Sequence, residues 1–432
     1  MNTQTASPPA PPRNALFRDR NFTWMLGGGI LSMLGDQFTL IALPWLVLQM
    51  SSDTRVLGTV LLIVGLPRAL FILVGGAFVD RYSPKRVMLL TKYVNTLLLG
   101  ALALLVLTGT LTLPWLYALS LGIGLATAFS IPSGTAILPQ VVAPEHLQAA
   151  NGLMLGLRQL AMFVGPLLAG LLIALFGSGP ADAVTDARGL GLAFGFDAFS
   201  FALSAWTLSR VGVRAPPAPA AARGSVLASV GEGLRAFWAD VQLRTCLLYW
   251  AAVALLITGP VHIALPVLAK QLPGLGAAAL GTMLAAHGAG TLMGMGLAGA
   301  KPRWRLRSLG LTLLAVDALV GLLFMPMGVI SATWQGAALL LLIGLLGGFM
   351  QVAVFTWIQR RVPPVMLGRA MSLFMFIFMG LAPLSSAATG WLLHSLPLST
   401  LFLASGALLV GIVVVALLAT RMPQVSDAPL AA

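Results

Sequence analysis

Twelve long apolar runs, separated by short polar connections, limit this chain more than any other feature in it. Read with a window of roughly twenty residues, the first six cover Phe22 to Met50, Leu57 to Val79, Val87 to Gly109, Trp115 to Leu138, Asn151 to Phe176 and Leu190 to Arg210. The second six cover Thr245 to Ala269, Ala278 to Gly299, Leu309 to Ile330, Gly336 to Gln359, Ala370 to His394 and Thr400 to Thr420. Hydrocarbon offers the backbone no hydrogen-bond partners, so runs of this length must be α-helices that cross a bilayer. The expected fold class is an all-α membrane protein with twelve transmembrane helices.

Composition agrees, since 58% of the 432 residues are hydrophobic and 9% charged, a balance that excludes a soluble globular domain. The net charge of +13 does not announce a nucleic-acid partner, because the bases lie between apolar runs and form no continuous stripe. One cysteine, Cys246, excludes an intrachain disulfide and a cysteine-held metal cluster, and no cofactor or metal is expected. The sequence has no GxxxxGK[ST] phosphate loop, HExxH motif or nucleophile elbow, so it is not read as an enzyme, and an ion gradient is the remaining energy source. Of 25 Lys and Arg, 20 fall in or beside the two tails and the alternate loops that share one side, while Arg55, Arg188 and Lys270 fall on the other. By the positive-inside rule both termini are expected in the cytoplasm, with the chain in the inner (plasma) membrane.

The chain also repeats itself. Gly76, Val142, Pro144, Leu147, Ala150 and Gly170 recur 220 positions later as Gly296, Val362, Pro364, Leu367, Ala370 and Gly390, and Ile41 to Gln49 (IALPWLVLQ) returns at offset 222 as Ile263 to Gln271 (IALPVLAKQ). A single register predicts two six-helix bundles, 22–210 and 245–421, related by duplication. Carriers that work by alternating access are built in this way, with a site near the midplane between the halves. A proline-rich tail (1–21) is expected to be disordered, the connector 211–244 to combine a Pro/Ala linker with an amphipathic helix, and 422–432 to be a second tail.

The densest polar cluster between two runs is Gly76 to Arg86, GAFVDRYSPKR. It resembles the Gly-x-x-x-Asp-Arg-x-Gly-Arg-Lys loop of the major facilitator superfamily, matched by Gly76, Asp80, Arg81, Lys85 and Arg86, with Ser83 and Pro84 where the family usually has Gly and Arg. The resemblance implies a gating loop, in which Gly76 packs against helix eleven and the Asp80 carboxylate meets that helix's positive N-terminal end. The second-half copy keeps Gly296, gains Lys301, Arg303, Arg305 and Arg307, and has Ala300 in place of the aspartate. In helix five, Gly156, Gly165, Pro166 and Gly170 resemble the antiporter signature of drug-efflux members, with Ala169 where a second glycine is common. With Gly35, Asp36 and the stretch LPQVVAPEHLQAANGL, the pattern is similar to the macrolide-efflux and enterobactin-exporter-like branch. That resemblance implies export of a small amphipathic compound (a drug, a siderophore-like molecule or a lysolipid) by alternating access as a proton antiporter. Its partners would be the small-molecule substrate, protons and the lipid bilayer, with the chain as a monomer. A receptor or partner-binding membrane subunit on the same fold is the alternative. One feature departs from better-known antiporters, which carry an arginine in helix four, because no base occurs between Lys92 and Arg158.

Charges inside the runs mark the candidate coupling site. Asp36 and Arg68 are the midpoints of consecutive runs, so two opposite charges are expected at one depth, and Arg158 lies inside the fifth. Here a proton or cationic substrate at Asp36 would compete with Arg68, whereas a static ion pair bracing two helices is the structural alternative. His262 and His287 can titrate near neutral pH or serve as structural hydrogen-bonding groups. Met371, Met375 and Met379 form a stripe that suits a substrate wall or ordinary packing, and Asp197 and Asp317 are read as packing or interface residues.

Overall fold

The computed structural model describes residues 15–177, 187–213, 238, 240–272, 276–301, 304–362 and 364–426, with the side chains of 72–81, 364–370 and 372 outside that description. Every regular element among them is helical. The first bundle comprises α1 (Arg20–Met50), α2 (Thr54–Tyr82), α3 (Pro84–Leu107), α4 (Leu113–Val141), α5 (Leu147–Phe176) and α6 (Ala187–Ser209). The second comprises α7 (Val241–Gln271), α8 (Gly276–Ala300), α9 (Leu309–Phe324), α10 (Thr333–Arg361), α11 (Pro364–Gly380 and Ala382–Ser395) and α12 (Leu398–Ala419).

Acidic and hydroxyl side chains start several of these helices. Asp19 accepts from the Asn21 and Phe22 amides at 2.9 and 3.3 Å, Asp53 from Arg55 at 2.9 Å, Asp240 from Gln242 and Leu243 at 2.8 and 3.2 Å, and Ser308 from Leu311 at 3.0 Å. Each satisfies amides that no turn of helix can reach, and the carboxylates also face the positive dipole end. Burial pushes the Asp240 carboxyl up, but hydrogen bonds from Arg361 and from the two amides outweigh it and hold the group below the usual carboxylate range.

Two helices are not continuous. In α7 a π-helical turn, Pro260–Ala264, separates Val241–Gly259 from Leu265–Gln271, and α11 breaks at Leu381 just ahead of Pro383, whose ring cannot continue the ladder. Among the described residues, eleven helices are long and apolar enough to cross a membrane. The twelfth in position is α8, whose 25 residues include seven glycines and eight alanines. Its glycines lower its hydropathy and serve close packing: Cβ atoms on Gly290 and Gly294 would meet the Leu341 and Leu345 carbonyl oxygens of α10 at 2.0 Å.

Buried apolar residues fall into three groups that define the shape. At the terminus-bearing end each half has its own cluster, one around Phe22, Ile137 and Leu208 and one around Trp250, Trp357 and Phe374. At the distal end a single cluster joins both halves, running from Trp45 and Leu57 through Ile173 to Leu265, Met283 and Phe402. Among the described residues, then, the two bundles share a core only at the distal end and are separate cores at the other.

The distal junction uses the duplicated glycines symmetrically. A Cβ on Gly170 would come to 2.8 Å from the Ala277 carbonyl oxygen and 3.1 Å from the Gly281 Cα, joining α5 to α8. Its repeat partner Gly390 would come to 2.7 Å from the Thr54 carbonyl oxygen and 3.0 Å from the Gly58 Cα, joining α11 to α2. Polar contacts seal the rim: Thr54 donates to the Gly390 carbonyl at 2.8 Å, Lys270 donates to the Leu48 carbonyl, and Arg55 pairs with Asp53 at 2.8 Å while lying 5.6 Å from the Trp391 ring centroid. Hydrogen bonds from the Arg55 side chain and amide hold Asp53 below the usual carboxylate range.

The tails differ from expectation. The segment to residue 21 is helical from Ala15, because Leu16 and Phe22 bury themselves in the first-half cluster. At the other terminus Met422 and Val425 are fully buried, and Gly310 donates to the Val425 carbonyl at 3.0 Å, so the chain stays packed past residue 421. The amphipathic helix read in the connector falls on 214–237, outside the described residues.

Gly390→Val places branched carbons against α2 backbone that cannot move aside, an overpacking cost of about 1–3 kcal/mol. The distal junction is expected to open. A cysteine placed at the fully buried Ser386 should then react severalfold faster with an impermeant thiol reagent, Cys246 being buried and silent; unchanged protection would contradict the packing account.

Candidate functional site

A charged centre lies inside the first bundle. Asp36 of α1 is within electrostatic reach of Lys92 of α3, Arg68 of α2 and Arg158 of α5. Arg68 in turn interacts with Arg158 and acts on His262 of the second half. Asp36, Arg158 and His262 are exposed and Arg68 is half-buried, although all sit within spans. These charges, drawn from four helices, lie within electrostatic reach of one another, whereas facing lipid would leave each without compensation.

The expected Asp36–Arg68 relation is present in modified form. No ion pair within 4 Å links them among the described residues, and the strongest positive influence on Asp36 is Lys92. Lys92 was read as one of the bases on the terminal side of the membrane. It is instead buried at 3% exposure, donates to Ser32 Oγ at 3.2 Å and lies 5.4 Å from the Phe201 ring centroid. Asp197, read as a packing residue, belongs to the same network: Lys92 and Asp36 both act on it, Thr39 donates to its Oδ2, and Ser200 donates to its Oδ1 at 3.3 Å. Gly35 makes the approach possible, because a Cβ there would sit 2.4 Å from Asp197 Oδ1. The sequence signal for Lys92 was its place five residues past the start of the apolar run Val87 to Gly109. Lys92 and Arg158 supply the positive charge that the base-free helix four lacks.

Across the interface, the π turn of α7 presents His262, whose Nδ1 is 3.5 Å from Ser386 Oγ of α11, and the neighbouring Gly259 amide donates to Ser385 Oγ at 2.7 Å. Such turns often occur at functional positions. His287 is not part of this group; it is half-buried in α8, where no other charged group acts on it. Asp317 accepts from Tyr249 at 2.5 Å within the second half. Met375 is exposed, while Met371 and Met379 are half-buried.

In α5, Gly165 faces Gln37 of α1, and Pro166 and Gly170 meet Gly281 of α8, whereas Gly156 has no neighbour within 4 Å of a Cβ. Three residues of the motif therefore set the α1–α5–α8 junction. In the gating loop the side chains of Gly76, Asp80 and Arg81 lie outside the described residues. Lys85 donates to the Ser209 and Val211 carbonyls at 3.2 and 2.6 Å, closing the C-terminal end of α6. Ser83, where the family usually has glycine, has φ +74°, so the turn demands the conformation glycine supplies at no cost.

Two six-helix bundles with a repeated register, one of them holding charges within its spans, define a carrier fold. The chain belongs to the Major Facilitator Superfamily, whose model matches residues 25–387; it is a multi-pass membrane transporter of a small molecule and not an enzyme. It is similar to the multidrug efflux pump Tap of Mycobacterium tuberculosis (strain ATCC 25618 / H37Rv), 27% identical over 93% of each chain. To the Tap pump of Mycolicibacterium fortuitum it is 29% identical, over 52% of this chain and 53% of that one. The enterobactin exporter EntS of Shigella boydii serotype 4 (strain Sb227) is 27% identical over 76% of this chain and 74% of its own. In fold it matches a bacterial homologue of the iron transporter ferroportin in the inward-facing state (TM-score 0.67, 17% identity, 93% of this chain and 98% of that one). It also matches the nucleoside transporter NupG (TM-score 0.71, 13% identity, 92% and 98%).

Removing Lys92 leaves the buried Asp197 carboxylate without the base that acts on it, so Lys92→Met is expected to cost about 3–5 kcal/mol, and adding Asp197→Asn should return much of it. Melting of the four purified proteins in detergent measures the cycle; additive losses would dissolve the network. Ser83→Gly relieves the backbone strain and should raise stability by about 1–3 kcal/mol in the same assay.

Proposed function

We propose that this protein exports small amphipathic compounds, in exchange for protons, from a cell whose cytoplasm faces the terminus-bearing end. The observation that carries the reading is the exposed Asp36 carboxylate surrounded by Lys92, Arg68 and Arg158. A proton on Asp36 cancels the one negative charge that these three bases share from the open side, and a cationic or polar substrate group competes for the same carboxylate. Either event changes the electrostatic balance between helices of one bundle, which biases the equilibrium between its two arrangements against the other half.

Direction and class are supported by the relatives named as a multidrug efflux pump and an enterobactin exporter. The separate cores at the terminus-bearing end suit a cytoplasm-open state, ready to load from inside. In the opposite state the gating loop, with Gly76, Asp80, Arg81 and Arg86, would close that end against α11. The bases at the termini and alternate loops favour this orientation in an inner membrane, and one chain contains a complete pair of halves, so the carrier acts as a monomer. A broad apolar wall with Met371, Met375 and Met379 suits amphipathic molecules of varied shape.

Everted vesicles challenged with a panel of amphipathic dyes and antibiotics test the reading. An imposed proton gradient should drive uptake by the parent protein. Asp36→Asn, inserted at normal level, should lose gradient-driven uptake and keep substrate-for-substrate exchange. Ordinary pH-dependent uptake by that variant would exclude coupling at Asp36, and a panel of which no member moves would exclude efflux of this class.

A further inference from the structure

Helical spacing places Arg68 against the second half. On α2, Gly58 and Gly65 are seven residues apart and both face α11: a Cβ on Gly58 would lie 3.1 Å from the Ser386 carbonyl oxygen, and one on Gly65 would overlap the Pro383 ring. Arg68 follows Gly65 by three residues, so it continues the same helix face. There it is level with the break of α11 at Leu381, since a Cβ on Gly380 would lie 3.6 Å from that of Ala69. Among the described residues the Arg68 guanidinium makes no hydrogen bond or ion pair, and the groups that act on it or feel it are Asp36, Arg158 and His262.

His262 approaches Arg68 from the other half. Between Gly259 and Pro266 every residue is buried except the half-buried Val261 and the exposed His262. Ser386 Oγ lies 3.5 Å from its Nδ1; with that hydroxyl as donor, the proton of a neutral ring sits on Nε2, which has no hydrogen-bond partner among the described residues. Neither residue is inherited from the duplication, because the counterpart of His262 at offset 222 is Leu40 and that of Arg68 at offset 220 is Gly288. The balance of charge points the same way. Within the first-half runs the acids are Asp36 and Asp197, against Arg68, Lys92 and Arg158, with Arg210 ending the sixth run over the Trp206 ring. Lys92 acts on the buried Asp197, which leaves Asp36 as one carboxylate for the two guanidiniums of Arg68 and Arg158. The second-half runs contain one acid, Asp317, and Tyr249 donates to it. Two guanidiniums and one carboxylate leave a place for one further negative charge.

We infer, resting on the reading of this protein as an exporter, that its substrates are zwitterionic amphipathic compounds, whose carboxylate is held between the Arg68 guanidinium and His262 Nε2 while their positive group takes the place of the proton at Asp36. A planar guanidinium accepts carboxylate oxygens in pairs, and the imidazole N–H adds a donor from the opposite half. His262 is then a specificity-determining residue. A cation without an acid meets Arg68 as a like charge, and an acid without a cation meets the Asp36 carboxylate in the same way. Because its two holders belong to different halves, the bound acid links α2 to α7.

Norfloxacin, a fluorescent amphipathic zwitterion, tests this beside its methyl ester, which is a cation, and its N-acetyl derivative, which is an anion. Affinities are read by fluorescence anisotropy on the full-length protein in phosphatidylcholine nanodiscs. The parent protein should bind norfloxacin about tenfold or more tightly than either derivative, the scale of one hydrogen bond to a charged group. His262→Ala and Arg68→Gln should each bring the ratio of norfloxacin to ester affinity close to one, whereas His287→Ala, outside this group, should leave the ratio as it is. Equal affinity of the parent protein for norfloxacin and its ester, an undiminished ratio in His262→Ala, or failure of all three compounds to bind would overturn the site. Should Arg68→Gln fail to fold, the parent ratio and His262→Ala decide. Uptake into everted vesicles separates this outcome from that of the efflux reading. Proton-driven uptake of norfloxacin and ester alike would overturn the acid subsite and leave efflux standing, while preferential binding of norfloxacin without proton-driven uptake would overturn exchange for protons and leave the site.

Discussion

Close contact of helix backbones across the two halves, running from the distal end into mid-span, is the constraint on which the rest of this structure depends. Between helices in lipid there is no hydrophobic gain from association, so cohesion comes from packing and hydrogen bonds at short range. The distal junction supplies both: Gly170 and Gly390 admit neighbouring backbone, and Thr54 and Lys270 bond carbonyls of the opposite half. The shared apolar core is confined to that end, while the terminus-bearing end has two separate cores among the described residues.

The charged centre has two layers with different demands. Asp36, Arg158 and His262 are exposed and Arg68 is half-buried, and these form the outer layer. Behind them Lys92 and Asp197, both nearly inaccessible, are held by Ser32, Thr39 and Ser200. The inner layer is thus tied into the packing of the bundle, and the outer one is not held by the same bonds.

Twelve spans, the duplication and the place of Asp36 and Arg68 were legible because burial in lipid writes long apolar runs and makes every charge within them conspicuous. Lys92 was misassigned because a window average cannot tell a base at a membrane surface from one a few turns inside, and Asp197 because its partners on α1 are 158 positions away. The breaks in α7 and α11 were hidden by unbroken hydropathy, although Pro260 and Pro383 stood in the sequence. Ser83 was visible as a departure from the family pattern, but only its positive φ explains why glycine is the usual residue there.

The glycine- and alanine-rich α8 has a consequence for biogenesis. Seven glycines make this segment a weaker candidate for insertion on its own than the other spans, so partners already in the bilayer or arriving with it contribute more to holding it there. Its contacts with α5 and α10 mean that one partner precedes it in synthesis and the other follows, which ties completion of the second half to a surface offered by the first. The halves are thus joined during assembly by the same helix that later lies between them.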